Sequence, residues 1–151
     1  MLKESDCTAQ IKDNALLCPR VDRTPPLSET ILVVEDNETI RELLMHVLQG
    51  CGYKVATVTN GKEAMAYLAE HDKPCAILLD LEMPVMNGWD FRTWQQRHAR
   101  FASIPVIIMS GARESQRTYE LLRPEAYIDK PIDFSNLLHA LHTKTNCKAD
   151  T

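Results

Sequence analysis

The sequence predicts an α/β protein: a doubly wound, five-stranded parallel sheet with five helices packed on its two faces. Three observations carry that expectation. Short continuous apolar runs at residues 31–34, 76–79 and 104–109 read as strands buried on both faces, the signature of a parallel sheet. Each run is followed by apolar residues at helical spacing, and this strand-then-helix unit occurs five times, which implies right-handed crossovers with helices on both faces. The polar residues that interrupt the pattern fall just after the strands, where the loops of an open sheet converge.

Ile31, Leu32, Val33 and Val34 form the first strand, which runs into Glu35 and Asp36. The following helix carries Ile40, Leu43, Leu44, Val47 and Leu48 as one apolar stripe and ends at Gly50, Cys51 and Gly52. Residues 53–58 form a short second strand, Asn60 and Gly61 a turn, and Lys62 and Glu63 open a helix with Ala64, Met65 and Leu68 inward. Pro74 precedes the third strand, whose four apolar residues meet a lone carboxylate, Asp80, before Pro84 and Gly88 break the chain into a turn. Phe91 and Trp94, three apart, mark the third helix. The fourth strand reaches Ser110 and Gly111, a fourth helix passes through residues 119–122, and a brief strand at 126–128 ends at Asp129, Lys130 and Pro131. The last helix buries Phe134, Leu137, Leu138 and Leu141.

The domain is expected to span residues 29–145, after a flexible leader of residues 1–28 with room for a short helix at 11–17, and before a tail of residues 146–151. At 151 residues, 44% hydrophobic and 25% charged, the chain suits one globular domain. A formal net charge of −4 and the absence of a dense Lys/Arg cluster argue against direct nucleic-acid binding. The five cysteines (Cys7, Cys18, Cys51, Cys75 and Cys147) include no Cys-x-x-Cys pair, so neither a zinc site nor a disulfide framework is expected, and the thiols read as reduced. Acidic residues near Met1 argue against a signal peptide, and no run approaches the roughly 18 apolar residues of a membrane span, so a cytoplasmic protein is expected.

Glu35 and Asp36 follow the first strand, Asp80 the third, Ser110 the fourth and Lys130 the fifth. Two carboxylates ~5 Å apart repel by roughly 3 kcal/mol at an effective dielectric near 20, so three of them call for a cation. Mg²⁺, with few carboxylates, water and a phosphate as ligands, suits such a set. A nucleophilic carboxylate, a metal and a lysine are the parts of a phosphoryl-transfer site. Singly, Asp36 reads as a cap of the first helix and Asp80 as a turn opener. Caps do not explain why Lys130 and Ser110 arrive at the same edge. The five histidines (His46, His71, His98, His139 and His142) read as surface or rim residues, and Trp89 and Trp94 as packing or turn residues.

Over residues 30–143 the chain resembles the receiver domain of two-component response regulators, with its CheY-like, flavodoxin-like fold. The motifs are Val33-Val34-Glu35-Asp36, residues 80–88 (DLEMPVMNG), Met109-Ser110-Gly111 and Tyr127 to Pro131. The resemblance implies that Asp80 accepts a phosphoryl group from phosphohistidine. It implies Mg²⁺ held by Glu35, Asp36, Asp80 and the backbone carbonyl of Glu82, with Ser110 and Lys130 bonding phosphoryl oxygens and Tyr127 following Ser110 as a switch residue. The implied partners are a sensor histidine kinase or histidine phosphotransfer protein and a downstream protein, with no membrane and no direct nucleic acid. Little chain follows the last helix, so output is expected from contacts rather than from an attached domain. Ser110 stands where Thr is frequent, Pro124 and Glu125 replace a usual Gly-Ala lead-in, and the short segment from 110 to 130 predicts a stunted fourth helix. Glu82 adds an acid beside the site that is expected to tune hydrolysis of the acyl phosphate. Two other classes compete: a pseudo-receiver scaffold, disfavoured because no pocket residue is missing, and a phosphatase of the haloacid dehalogenase type. That phosphatase places its Asp-x-Asp nucleophile motif after the first strand, whereas Asp80 follows the third.

Overall fold

A computed structural model describes residues 30–111 and 116–147; the expected leader and its short helix lie outside them. Strands β1 (Thr30–Val34), β2 (Lys54–Val58), β3 (Ala76–Asp80), β4 (Val106–Ser110) and β5 (Ala126–Asp129) alternate with helices α1 (Glu38–Gly50), α2 (Gly61–Glu70), α3 (Gly88–Arg97), α4 (Gln116–Leu122) and α5 (Phe134–Lys144). The strands are parallel in the order β2-β1-β3-β4-β5, the flavodoxin-like arrangement. The strand order reverses between β1 and β3, so a crevice opens beyond their carboxyl ends.

Alternation along the strands sorts the core into two layers. Ile31, Val33, Ala76, Leu78, Ile107 and Met109 pack with α1 and α5, through Leu44, Leu48, Leu137 and Leu141. Leu32, Val34, Ile77, Leu79, Val106 and Ile108 face the other way, onto Ala64, Leu68 and Phe91 of α2 and α3. Each fully buried Leu, Ile or Phe contributes roughly 1.5–3 kcal/mol relative to exposure, so a strand buried on both faces is held firmly. Leu43 departs from the expected stripe. It is 47% exposed, because the five-residue stripe is wider than the arc of α1 that meets the sheet.

The helix starts are fixed by short polar side chains. Asn37, Asn60 and Asn87 each accept the N–H three residues on, at 2.9 Å, and Asp133 accepts from Ser135 and Asn136. The described part of the fourth helix, α4, covers Gln116–Leu122; residues 112–115 before it, where the expected shortening would be read, lie outside the described residues. Its end is held from α3. Arg92, 6% exposed, donates through Nε to Leu122 O (2.8 Å), through Nη2 to Arg123 O (2.8 Å) and through Nη1 to Gln95 Oε1 (2.7 Å). Gln96 adds a bond to Leu122 O at 3.1 Å.

The expectation of reduced thiols throughout is corrected. Cys75 and Cys147, 72 residues apart, form a disulfide with a Cα–Cα distance of 5.2 Å, and Cys51 is disulfide-bonded as well. The fold brings Cys75, just before β3, against the chain leaving α5, a proximity that spacing in sequence does not reveal. All five histidines are exposed, as read.

Candidate functional site

The site forms where β1, β3 and β5 end. The register sets Val34 beside Leu79, so Glu35 and Asp36 emerge next to Asp80. Ser110 pairs with Asp129, and the Lys130 N–H donates to the Ser110 carbonyl at 2.9 Å, which places the lysine at the same edge. Glu35, Asp36 and Asp80 each offer a carboxylate oxygen, all within 4.8 Å of one another. Glu35 is wholly buried and Asp80 is 3% exposed, whereas Asp36 faces solvent.

Asp36 does not cap α1; Asn37 does, so Asp36 is left at the acidic cluster. Gly88 closes the loop after Asp80. A Cβ there would overlap the Asp80 carbonyl oxygen and come within 2.8 Å of Leu81 Cα, so only glycine lets the start of α3 pass this close to β3. The Gly88 N–H bonds Leu81 O at 3.0 Å, and the Met86 carbonyl accepts from Gly61 at 2.9 Å, tying this loop to α2.

The electrostatics ask for a cation. Lys130 Nζ lies 2.9 Å from Glu35 Oε1 and 3.4 Å from Asp80 Oδ1. The Asp80 carboxyl is pushed up to about 7, first by burial and then by the Glu35 charge, against the opposing pull of Lys130. Lys130 itself is raised: burial works against its charge, but Glu35 and Asp80 outweigh it. One ammonium therefore does not balance the site, and three clustered carboxylates, two of them buried, fit a hard divalent ion.

Of the other residues expected at the site, Ser110 ends β4 and is 1% exposed, and the Glu82 N–H donates to Asp80 Oδ1 at 3.3 Å. Tyr127 lies half-buried on β5, its ring 6.1 Å from that of Tyr119 on α4, so it faces the neighbouring helix. Sequence reading did not find the Arg92 and Gln95 network behind α4. Its signal was present: two long polar residues at 92 and 95 share a helical face with Phe91, and in the fold both are buried.

Comparison with known proteins agrees with this architecture. Residues 31–142 match the family described as response regulator receiver domain. The chain is 30% identical over 118 residues to the polar-differentiation response regulator DivK of Brucella anthropi, an alignment covering 76% of this chain and 94% of DivK. It is 33% identical over 111 residues to the transcriptional regulatory protein GltR of Pseudomonas aeruginosa, covering 72% of this chain and 46% of GltR. Among solved structures it resembles the chemotaxis response regulator CheY4 of Vibrio cholerae, with TM-score 0.70 and 26% identity over 76% of this chain and 97% of that one. It also resembles the phosphorylated cyanobacterial phytochrome response regulator RcpA, with TM-score 0.66 and 28% identity over 77% of this chain and 90% of that one. This chain belongs to the response regulator receiver domain family.

Proposed function

We propose that the chain is a phosphorylation switch in which Asp80 accepts a phosphoryl group from the phosphohistidine of a sensor histidine kinase or histidine phosphotransfer protein. The observation that carries this reading is the convergence of Asp80, Glu35, Asp36 and Lys130 at one sheet edge, with Asp80 buried and its carboxyl raised. Glu35, Asp36, Asp80 and the Glu82 backbone carbonyl are the groups that would hold Mg²⁺. When bound, that ion supplies positive charge to the equatorial phosphoryl oxygens and favours the ionised Asp80.

In the reaction, an Asp80 carboxylate oxygen attacks phosphorus in line, the P–N bond breaks, and the leaving imidazole keeps the electron pair and takes a proton. Lys130 sets its ammonium against the charge that the transferred group brings. Ser110, at the end of β4, supplies a hydroxyl for a phosphoryl oxygen. Drawing Ser110 toward the acyl phosphate changes the packing beside Tyr127, whose ring contacts Tyr119, so the signal reaches α4. The output is a change in affinity for a protein partner. The chain catalyses only its own phosphorylation and dephosphorylation, and no described helix is long and apolar enough to cross a membrane. These points support a cytoplasmic signalling role.

Beryllofluoride with Mg²⁺, which caps an aspartate as a phosphoryl mimic, tests the switch. Backbone amide shifts are expected at the loops after β1, β3 and β4 and onward to Tyr127 and Leu121, and are expected to vanish in Asp80→Asn. Shifts confined to the pocket loops would refute transmission to α4, and shifts that persist in Asp80→Asn would refute the site.

A further inference from the structure

β3 carries the Asp80 carboxylate at one end and a disulfide at the other. Cys75 directly precedes the strand, and its N–H bonds Thr30 O at 2.9 Å on the amino-terminal edge of the sheet. Its partner, Cys147, lies beyond α5, 5% exposed, in the layer that contains Leu137, Leu138 and Leu141. After α5 the chain is fastened by this bond and by a short hydrogen-bond chain: the Cys147 N–H donates to Thr145 Oγ1 (3.1 Å), whose hydroxyl donates to Leu141 O (2.6 Å).

Disulfides persist in oxidising compartments, whereas a domain loaded from phosphohistidine kinases works where thiols are kept reduced. A bond that cycles satisfies both conditions. We propose that Cys75–Cys147 is a thiol–disulfide exchange site, through which a cellular dithiol or glutathione couple sets how firmly the carboxyl end of α5 is held. The inference rests on the phosphoacceptor reading only for the compartment. Cys75 is the half-exposed partner and Cys147 the buried one, so the reductant's thiolate attacks the Cys75 sulfur. The S–S bond breaks and Cys147 leaves as a thiolate that takes a proton. The reductant's second thiol, or a second glutathione molecule, then attacks the reductant's sulfur in the mixed disulfide, and Cys75 leaves as a thiolate that takes a proton. Two electrons and two protons pass to the cysteines, the dithiol becomes a disulfide, and an oxidised dithiol reverses the sequence.

Closing a 72-residue separation restricts the unfolded chain and pins the exit of α5, so reduction should loosen that end without reaching Asp80. Cys75 and Asp80 stand five residues apart along an extended strand, about 16 Å.

The test uses the full chain, equilibrated with defined ratios of reduced to oxidised dithiothreitol and of glutathione to its disulfide. Trapping by alkylation and peptide mass spectrometry then assigns the state of Cys75, Cys147 and Cys51. The Cys75–Cys147 bond is expected to open reversibly in the native protein at glutathione ratios typical of a cytosol. The melting temperature should fall by about 10 °C, and trypsin should cut at Lys144 about tenfold faster. The double variant Cys75→Ser/Cys147→Ser should match, in its Lys144 cleavage rate, parent protein in which Cys75–Cys147 is reduced and the Cys51 bond is in the same state, and a dithiol should no longer change that rate. Where that variant fails to fold, the dithiol series on the native chain decides alone. A bond that resists the dithiol until the protein unfolds, free alkylation of both cysteines in unreduced protein, or a Lys144 cleavage rate indifferent to reduction would each overturn the proposal. Acetyl phosphate labelling in the same samples separates the two readings: loss of labelling in every redox state counts against the phosphoacceptor and leaves the exchange site standing.

Discussion

Asp80 should make the metal-free protein less stable as pH rises. Its carboxyl is raised from 3.8 to about 7, so between those values the native state binds a proton that the unfolded chain has lost. Stability contributed by that proton is fully present below pH 3.8 and is lost as pH climbs through 7. A shift of this size corresponds to roughly 4 kcal/mol, a large fraction of the stability of a small domain. Asp80→Asn keeps the shape of the neutral carboxyl and cannot ionise. At pH 8 without metal the variant should therefore be more stable than the parent by up to about 4 kcal/mol, and the gap should close toward pH 4. Urea unfolding followed by circular dichroism at half-unit intervals, in a chelating buffer, measures both curves, and their difference cancels the titration of groups that do not interact with Asp80. Adding Mg²⁺ at about 100 times its dissociation constant should return about 2.7 kcal/mol to the parent and little to the variant. Parallel curves for parent and variant from pH 4 to 8 would refute the account of a cation-demanding carboxylate.

Three further outcomes follow from the geometry. Gly88→Ala forces a Cβ against the Asp80 and Leu81 backbone, and should cost about 3 kcal/mol in urea melts while slowing labelling by acetyl phosphate. Arg92→Met takes the donor from the Arg123 carbonyl and leaves the Leu122 carbonyl to Gln96, and should cost about 3 kcal/mol and speed hydrogen exchange in α4 without altering Mg²⁺ affinity measured by Trp fluorescence. Ser110→Ala should retain labelling at Asp80 yet shrink the difference in partner affinity between the beryllofluoride-bound and unbound forms. That coupling is about 1–3 kcal/mol in a working switch, and isothermal titration reads it directly.

The fold was legible because strands buried on both faces leave continuous apolar runs, and β1, β3 and β4 are such strands. The acidic residues were legible for a related reason. A charge that abruptly ends an apolar run, as Asp80 does, marks the carboxyl edge of the sheet, even though Asp80 and Glu35 stay buried there. What escaped the sequence depends on contacts between distant segments. Cys75 and Cys147 meet only once α5 lies across the sheet. Arg92 read as one more charged helix residue because its partners are carbonyls 30 and 31 positions away. Leu43 and Leu44 are neighbours with the same hydropathy, and only the angle at which α1 meets the sheet decides that one is buried and the other is not. Asp36 and Asn37 are both competent caps, and local geometry chose Asn37.

The central claim, that Asp80 is the phosphoacceptor, is tested most directly by intact-protein and peptide mass spectrometry after incubation with acetyl phosphate and Mg²⁺. The parent should gain a single phosphoryl group that is labile to hydroxylamine and maps to the peptide containing Asp80, and a chelator should abolish the gain. Asp80→Asn should gain none. A hydroxylamine-labile adduct that persists in Asp80→Asn, or a parent that stays unmodified with Mg²⁺ present, would contradict the account.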